Sequence, residues 1–451
     1  MSASQAYPPA PLGQPARAEI RSLTGLRGLA ACWVMVGHYV RDPAINDSVA
    51  TVFSHSYLAV DLFMILSGFV LAMIYEVQLH KLSVGQFQRY ILHRLARIFP
   101  LYAITTIICW LLVHFGIGVW GDPTASTAGL AANLLLVQLW VWPNDSLNAA
   151  GWSISTEWAA NLLFPLFVVL LLARPFRRSA LVAGAALVCL VMAALLFGRL
   201  DGPQIGVVDW YTSPFALVRC TTEFMLGVFC WRLRSQAAWT ATLGSTPALA
   251  AMLAVFAPLT LFPSLDLVLV LLACLFVIGL SFEASRIARW FGSPVIRWLG
   301  AISFSIYLWQ MPLLPLRSWV SDVLSRAHAV YPDRLATAIM LCAVIGASAL
   351  SFPLIEKPAQ RWLRSKGPAH FAFLIAAPIA VAAIVLDVPK FRLPPGVVTP
   401  AGLAAGAAGV TALATLWAVT RFVRRSQDMA LVPVALTCAV GTGSIAWLLL
   451  S

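Results

Sequence analysis

Two ionisable side chains in one apolar helix give this chain its clearest chemical possibility. The stretch E-I-R-S-L-T-G-L-R-G-L-A-A-C-W-V-M-V-G-H-Y-V, residues 19–40, carries Arg27 and His38. A helix turns about 100° per residue, so eleven residues come to about three turns plus 20°. Both groups then share one face, about 16 Å apart along the axis. Ionisable groups inside a bilayer are costly and usually face a protein interior or a wet cavity. An imidazole with a pKa near 6.5 suits general-base work, and a guanidinium suits anions. The alternative is a snorkelling arginine and a histidine capping the helix end. This stretch alone leaves both open.

The remaining polar groups in apolar surroundings are few. Asp61 and the Ser67–Gly68 pair lie in D-L-F-M-I-L-S-G-F-V. The small pair suits close helix approach or a gap that admits substrate. Arg94 and Arg97, three apart on one face, enter a helix from the same side as Arg27, and three arginines could grip a multiply phosphorylated donor. G-W-S-I-S-T-E-W puts Trp152, Ser153, Ser155 and Glu157 in the first turns of another helix, at about the depth of His38. They read as a capping network, or as a carboxylate that orients His38. Arg219 and Glu223, at i and i+4, read as a structural intramembrane pair. I-S-F-S-I-Y-L-W-Q-M-P supplies a polar stripe of Ser303, Ser305, Tyr307 and Gln310, and Glu356 ends a later helix.

The elements that must position these groups follow from composition. The chain of 451 residues is 60% hydrophobic and only 11% charged, with mean hydropathy +0.85. A soluble domain is about 25% charged, so these values point to an all-α polytopic membrane protein. Apolar runs long enough to span fall at about 23–40, 57–76, 98–116, 153–173, 180–197, 213–231, 247–263, 265–281, 299–317 and 335–354. Three more lie at about 371–387, 401–420 and 430–450. The run at 130–142 is short and ends W-P-N-D. If it is re-entrant or interfacial, the basic clusters from Lys81–Arg97 to Arg421–Arg425 share the side of the N-terminus, as the positive-inside rule expects. The domains expected are a disordered tail at 1–19, a ten-helix domain at 20–366 and a three-helix extension at 367–451. The stretch 116–152, with Trp120, Trp140, Trp142 and Trp152, faces outward and suits interfacial anchoring or function. The net charge of +12 is the loop bias of a membrane protein, and no nucleic-acid module is present. The eight cysteines lie in apolar segments without C-x-x-C spacing, so neither a disulfide framework nor a metal site is indicated.

Taken together, the motifs resemble the acyltransferase-3 family of integral membrane O-acyltransferases. They are G-L-R-G-L-A-A with His38 beyond it, V-D-L-F-M-I-L-S-G-F at 60–69, R-L-A-R-I-F-P at 94–100, W-S-I-S-T-E at 152–157, R-C-T-T-E-F-M-L-G at 219–227, S-F-S-I-Y-L-W at 303–309 and E-K-P at 356–358. The resemblance implies a ten-helix domain and acyl transfer, usually acetyl from acetyl-CoA, to a hydroxyl of a glycan. It implies that Arg27 and His38 form the core of the active site and that Arg94 and Arg97 contribute to acyl-CoA binding. Where many members read Y-L-W-H, this chain has Gln310, which leaves His38 as the base candidate. The chain is expected to lack the SGNH hydrolase-like domain frequent in the family, with three extra helices in its place.

The mechanism expected has acyl-CoA entering from the cytoplasm, its phosphates on Arg27, Arg94 and Arg97, with no bound cofactor. His38 acts on an acceptor hydroxyl from the outer side, oriented by Glu157. Asp61, Ser67, Trp152, Ser155, Tyr307 and Gln310 are expected to line the substrate pocket. The setting expected is the bacterial inner membrane with a cytoplasmic N-terminus. The acceptor would be a glycan or exopolysaccharide, with a polysaccharide synthase or a separate acceptor-side transferase as partner. The rivals are a transporter of acyl donor or glycan, disfavoured by the lack of an internal repeat, and a non-catalytic scaffold for a polysaccharide synthase.

Overall fold

The computed structural model describes residues 19–40, 47–79, 83–121, 123, 126–140, 146–197, 207–209, 211, 215–236 and 238–365. The expected C-terminal helices, most of the N-terminal tail and Trp142 lie outside the described residues. Sixteen α-helices follow in order: α1 Arg21–Tyr39, α2 Asp47–Ser54, α3 Leu58–Leu79, α4 Val84–His114, α5 Thr127–Leu134, α6 Gly151–Phe167, α7 Phe176–Phe197, α8 Phe215–Gln236, α9 Thr246–Leu259, α10 Asp266–Leu280, α11 Arg286–Phe291, α12 Pro294–Ala301, α13 Ser303–Leu313, α14 Leu316–Arg326, α15 Pro332–Ser351 and α16 Lys357–Ser365.

The chain is an all-α polytopic membrane protein. Six of the described helical stretches are long and apolar enough to cross a bilayer, or seven if the bent pair at 238–259 is one span. Each of the ten runs expected from the sequence falls on helix, most on one helix or a consecutive pair and the run at 299–317 on parts of three. The shortfall from ten has a physical reason. Helices α1 and α8 carry the polar residues of interest, and the run at 299–317 is broken between α12 and α13.

Two close crossings set the frame. A Cβ on Gly68 of α3 would stand 2.0 Å from the Phe224 carbonyl oxygen, and one on Gly227 of α8 would stand 2.1 Å from that of Ile65. Glycine at both places lets the backbones of α3 and α8 touch, as the small Ser–Gly pair suggested. Between α1 and α12, Gly28 and Gly300 do the same. Around α3 and α8, Phe69, Phe164, Phe224, Tyr90 and Trp231 fill the central core.

Proline shapes two of the site-bearing helices. Pro165 lies inside α6 and Pro312 inside α13, and each lacks the N–H that would bond the carbonyl four residues back. Those carbonyls find other donors. The Tyr90 hydroxyl donates to the Asn161 carbonyl at 3.1 Å, and the Asn148 side-chain amide donates to the Leu308 carbonyl at 3.2 Å. Past Pro165 the helix widens into a π-helical turn, Val168–Leu172. A second such turn, Phe352–Glu356, joins α15 to α16.

The short run near residue 130 forms α5, eight residues and therefore about 12 Å long, too short to cross. Leu136, at φ 63°, turns the chain back. The Gln138 amide then donates to the Gly151 carbonyl at 2.8 Å and to the Tyr102 hydroxyl at 3.0 Å. The segment thus packs against the start of α6 and the second half of α4.

Candidate functional site

Helix α4 begins with a capping box, in which the Ser83 hydroxyl accepts from the Gln86 N–H and the Gln86 side chain accepts from the Ser83 N–H. From that fixed start the R-x-x-R pair faces α6 and the Phe352–Glu356 turn. Arg94 donates through Nη2 to Glu157 at 2.7 Å and through Nε to the Asn161 side-chain oxygen at 2.9 Å. The Ser67 hydroxyl donates to the same Glu157 oxygen at 3.3 Å. Arg97 donates to Glu356 at 2.8 Å and lies over the Phe304 ring, its guanidinium carbon 5.2 Å from the centroid. The other Glu356 oxygen accepts from Ser305.

Between these two ion pairs lies Arg27. Its electrostatic neighbours are Arg97, Glu157, Arg94 and Glu356. Among the described residues it has no hydrogen bond or ion pair of its own. Three guanidiniums and two carboxylates leave one positive charge in excess. Arg27, Ser67, Arg94, Arg97, Glu157 and Phe304 are among the residues walling a cavity of about 50 Å³. A buried water needs about 10–15 Å³ on this measure, so the space holds a few waters or one small polar group.

His38 stands at the other end of α1. Its Nδ1 is 3.3 Å from the Gln310 side-chain oxygen, and the edge of Trp120 meets the imidazole with centroids 5.7 Å apart. Trp120 is 37% exposed. The neighbouring Tyr39 hydroxyl donates to the Gln310 carbonyl at 2.8 Å.

Several expected positions change. Glu157, expected to orient His38, is bonded to Arg94 and Ser67, at the level of Arg27. Six residues into α6 it has already descended past the His38 level, so its carboxylate meets the R-x-x-R pair. Asp61, expected in the substrate pocket, holds Arg219 through two hydrogen bonds of 2.9 and 2.5 Å. The expected pair of Arg219 with Glu223 is the weaker contact of that group, at 3.5 Å. Trp152 stacks on the Arg219 guanidinium, 5.7 Å from its ring centroid. Ser155 is fully buried, donating to the Leu136 carbonyl at 2.8 Å, and so pins the segment after α5 rather than facing substrate. The Tyr307 hydroxyl is closed by Ser153 at 2.7 Å. Of the pocket residues, Ser67 joins Arg27 and Gln310 joins His38; the other four are engaged within the bundle.

The structure adds four residues to these groups. Glu356 ends a helix in E-K-P, the signal it carries in the sequence. Asn161 follows Glu157 by four residues on the same face, Ser305 belonged to the polar stripe of α13, and Trp120 was one of four tryptophans in a loop.

The family model for the acyltransferase-3 acyltransferase domain matches residues 20–355. The chain belongs to this family. All the residues above except Glu356 lie within the match, and Glu356 follows its last position. Curated relatives include acyltransferase MdmB of Streptomyces mycarofaciens, 32% identical over 234 residues, covering 48% of this chain and 58% of that protein. Peptidoglycan O-acetyltransferase OatA of Listeria monocytogenes is 24% identical over 369 residues, covering 76% of this chain and 56% of its own. A stretch of 92 residues is 44% identical to an undecaprenyl-diphosphatase of Granulibacter bethesdensis, covering 20% of this chain and 31% of that protein. The chain thus matches less than two thirds of the length of each of these relatives. No solved structure matches it.

Proposed function

We propose that the chain is a membrane O-acyltransferase that moves an acyl group, acetyl in the simplest case, from acyl-CoA on the cytoplasmic side to a hydroxyl of an extracytoplasmic glycan. The observation that carries this reading is Arg27, a guanidinium among charges with no acceptor of its own among the described residues. It walls a cavity and shares a helix face with His38. A membrane-embedded cation without a partner has donors ready for an anion, and the donor's phosphates are anions. Arg94 and Arg97 shape the cavity wall through their bonds to Glu157 and Glu356, and Arg27 supplies the free charge.

His38 is the base at the opposite end. As the acceptor oxygen bonds to the thioester carbon, the hydroxyl proton passes to the imidazole. The C–S bond breaks, and the proton leaves with the sulfur as free coenzyme A thiol. Exposed aromatic surface beside the base, at Trp120, suits the apolar face of a sugar ring. The peptidoglycan acetyltransferase among the relatives supports a glycan acceptor.

The test is the purified full chain in lipid vesicles with acetyl-CoA and a surface glycan fraction, following thiol release and glycan acetylation by mass spectrometry. Equal thiol and ester, both lost in His38→Ala with the fold retained by thermal unfolding, is the expected result. Donor or glycan movement across the vesicle without thiol release is the result a transporter would give, and it would overturn the proposal.

A further inference from the structure

We infer that Gln310 is a positioning residue that fixes the tautomer of His38 and so selects Nε2 as the nitrogen that takes the acceptor proton. This rests on the reading of His38 as the base, and it goes beyond that reading in naming the nitrogen and the group that chooses it.

Gln310 is fully buried on α13, and its side-chain NH₂ donates to the Tyr307 carbonyl at 3.0 Å. A carbonyl only accepts, so the nitrogen must be the amide atom on that side. The amide oxygen therefore points to His38, 3.3 Å from Nδ1. An amide oxygen also only accepts, so Nδ1 must carry the hydrogen. In a neutral imidazole one nitrogen donates and the other accepts, which leaves the Nε2 lone pair as the basic site.

The amide cannot turn over without losing the Tyr307 bond, and its helix is tied to α1 by the Tyr39 hydroxyl on the Gln310 carbonyl. A buried amide held from both ends keeps one orientation, the same service an acidic partner gives a histidine in other hydrolytic and transfer sites. An amide differs from an acid in one respect. It adds no negative charge, so it sets the tautomer without strengthening the base. Among the described residues, the nearby tyrosines and His55 are engaged elsewhere. Tyr39 donates to Gln310, Tyr307 is bonded to Ser153, and His55 is bonded to the Thr51 carbonyl and lies 4.0 Å from Asp266.

When the proton arrives at Nε2, the imidazolium keeps its Nδ1–H on Gln310. It later returns the Nε2 proton to the leaving thiolate. No other co-reactant is needed, and the balance is that of ester plus thiol from thioester plus alcohol.

Three variants of the full chain test this, read by the nitrogen shifts of labelled His38 and by the pH profile of kcat. In the wild type Nδ1 is protonated and Nε2 is not. Gln310→Leu removes the acceptor, mixes the tautomers and lowers kcat by about 10-fold or more, within the range general-base catalysis supplies, with the pH profile unmoved. Gln310→Glu keeps the acceptor and adds a charge, so the tautomer persists while the acid limb of the profile moves up by about one pH unit or more. Gln310→Asn, which retains the amide chemistry, recovers part of the activity lost in Gln310→Leu.

A protonated Nε2 in the wild type would overturn the inference. So would an unchanged kcat and tautomer in a folded Gln310→Leu. Neither result bears on whether His38 is the base, which is judged by His38→Ala; conversely, an active His38→Ala would remove the base while leaving the tautomer measurement standing.

Discussion

Arg27 and Arg219 both sit on helices of an apolar bundle, and their surroundings differ in almost every respect. Arg219 has no exposed side-chain surface. Asp61 holds it bidentately, Glu223 adds a second carboxylate, and the rings of Tyr57 and Trp152 lie on its guanidinium. A short relay continues outward, with the Tyr57 hydroxyl donating to Asp266 at 2.8 Å. Arg27 is only half-buried and faces a cavity, and its neighbouring carboxylates are taken by Arg94 and Arg97. The contrast separates two uses of a membrane arginine. Arg219 is held by carboxylates and rings from three helices, whereas Arg27 has no hydrogen bond or ion pair among the described residues and lies beside a cavity.

The largest expected effect lies at the closed centre. Arg219→Leu strips Asp61 of its partner in the bundle and is expected to cost about 3–5 kcal/mol of stability, the range for breaking a buried pair from one side. Denaturant unfolding in detergent measures it, and a loss under about 1 kcal/mol would dissolve the distinction between the two arginines.

A smaller effect is expected at the wall of the cavity. Glu157→Gln weakens a charged hydrogen bond to Arg94 but leaves the Asn161 bond, so stability falls by about 1.5 kcal/mol. The pH profile of kcat stays where it is, because Glu157 does not touch His38. A shift of that profile would restore the orienting role that the sequence suggested and undo the separation of the two ends of α1.

These assignments also mark what could be read before the structure. The shared face of Arg27 and His38 follows from helical period alone; at opposite ends of one helix, Arg27 lines the cavity and His38 lies beside Gln310. Close approach at Gly68 and the failure of the run near residue 130 to cross were legible too, because they depend on residue size and length. The pairings were not. Asp61 meets Arg219 across 158 positions and His38 meets Gln310 across 272, and nothing local says which helices are neighbours. Glu157 was misplaced for a related reason. Its depth depends on where α6 starts relative to α1, and the turns before Gly151 set that start. The i, i+4 spacing of Arg219 and Glu223 was real, yet a better-aligned carboxylate from α3 takes the guanidinium. Prolines carry a further signal: Pro165 and Pro312 each free a carbonyl four residues earlier, at Asn161 and Leu308.

The smallest expected change in stability is at Arg27, and there the account is most exposed. Thermal unfolding of the purified chain and of Arg27→Leu, each with and without coenzyme A, tests it directly. A ligand held only by the folded state raises stability by about 2.7 kcal/mol at a hundred times its Kd. The expected result is that the variant alone unfolds within about 0.5 kcal/mol of the wild type, and that coenzyme A raises the wild-type midpoint but not the variant's. An equal rise in both would contradict the proposal that Arg27, which has no hydrogen bond or ion pair among the described residues, receives the donor.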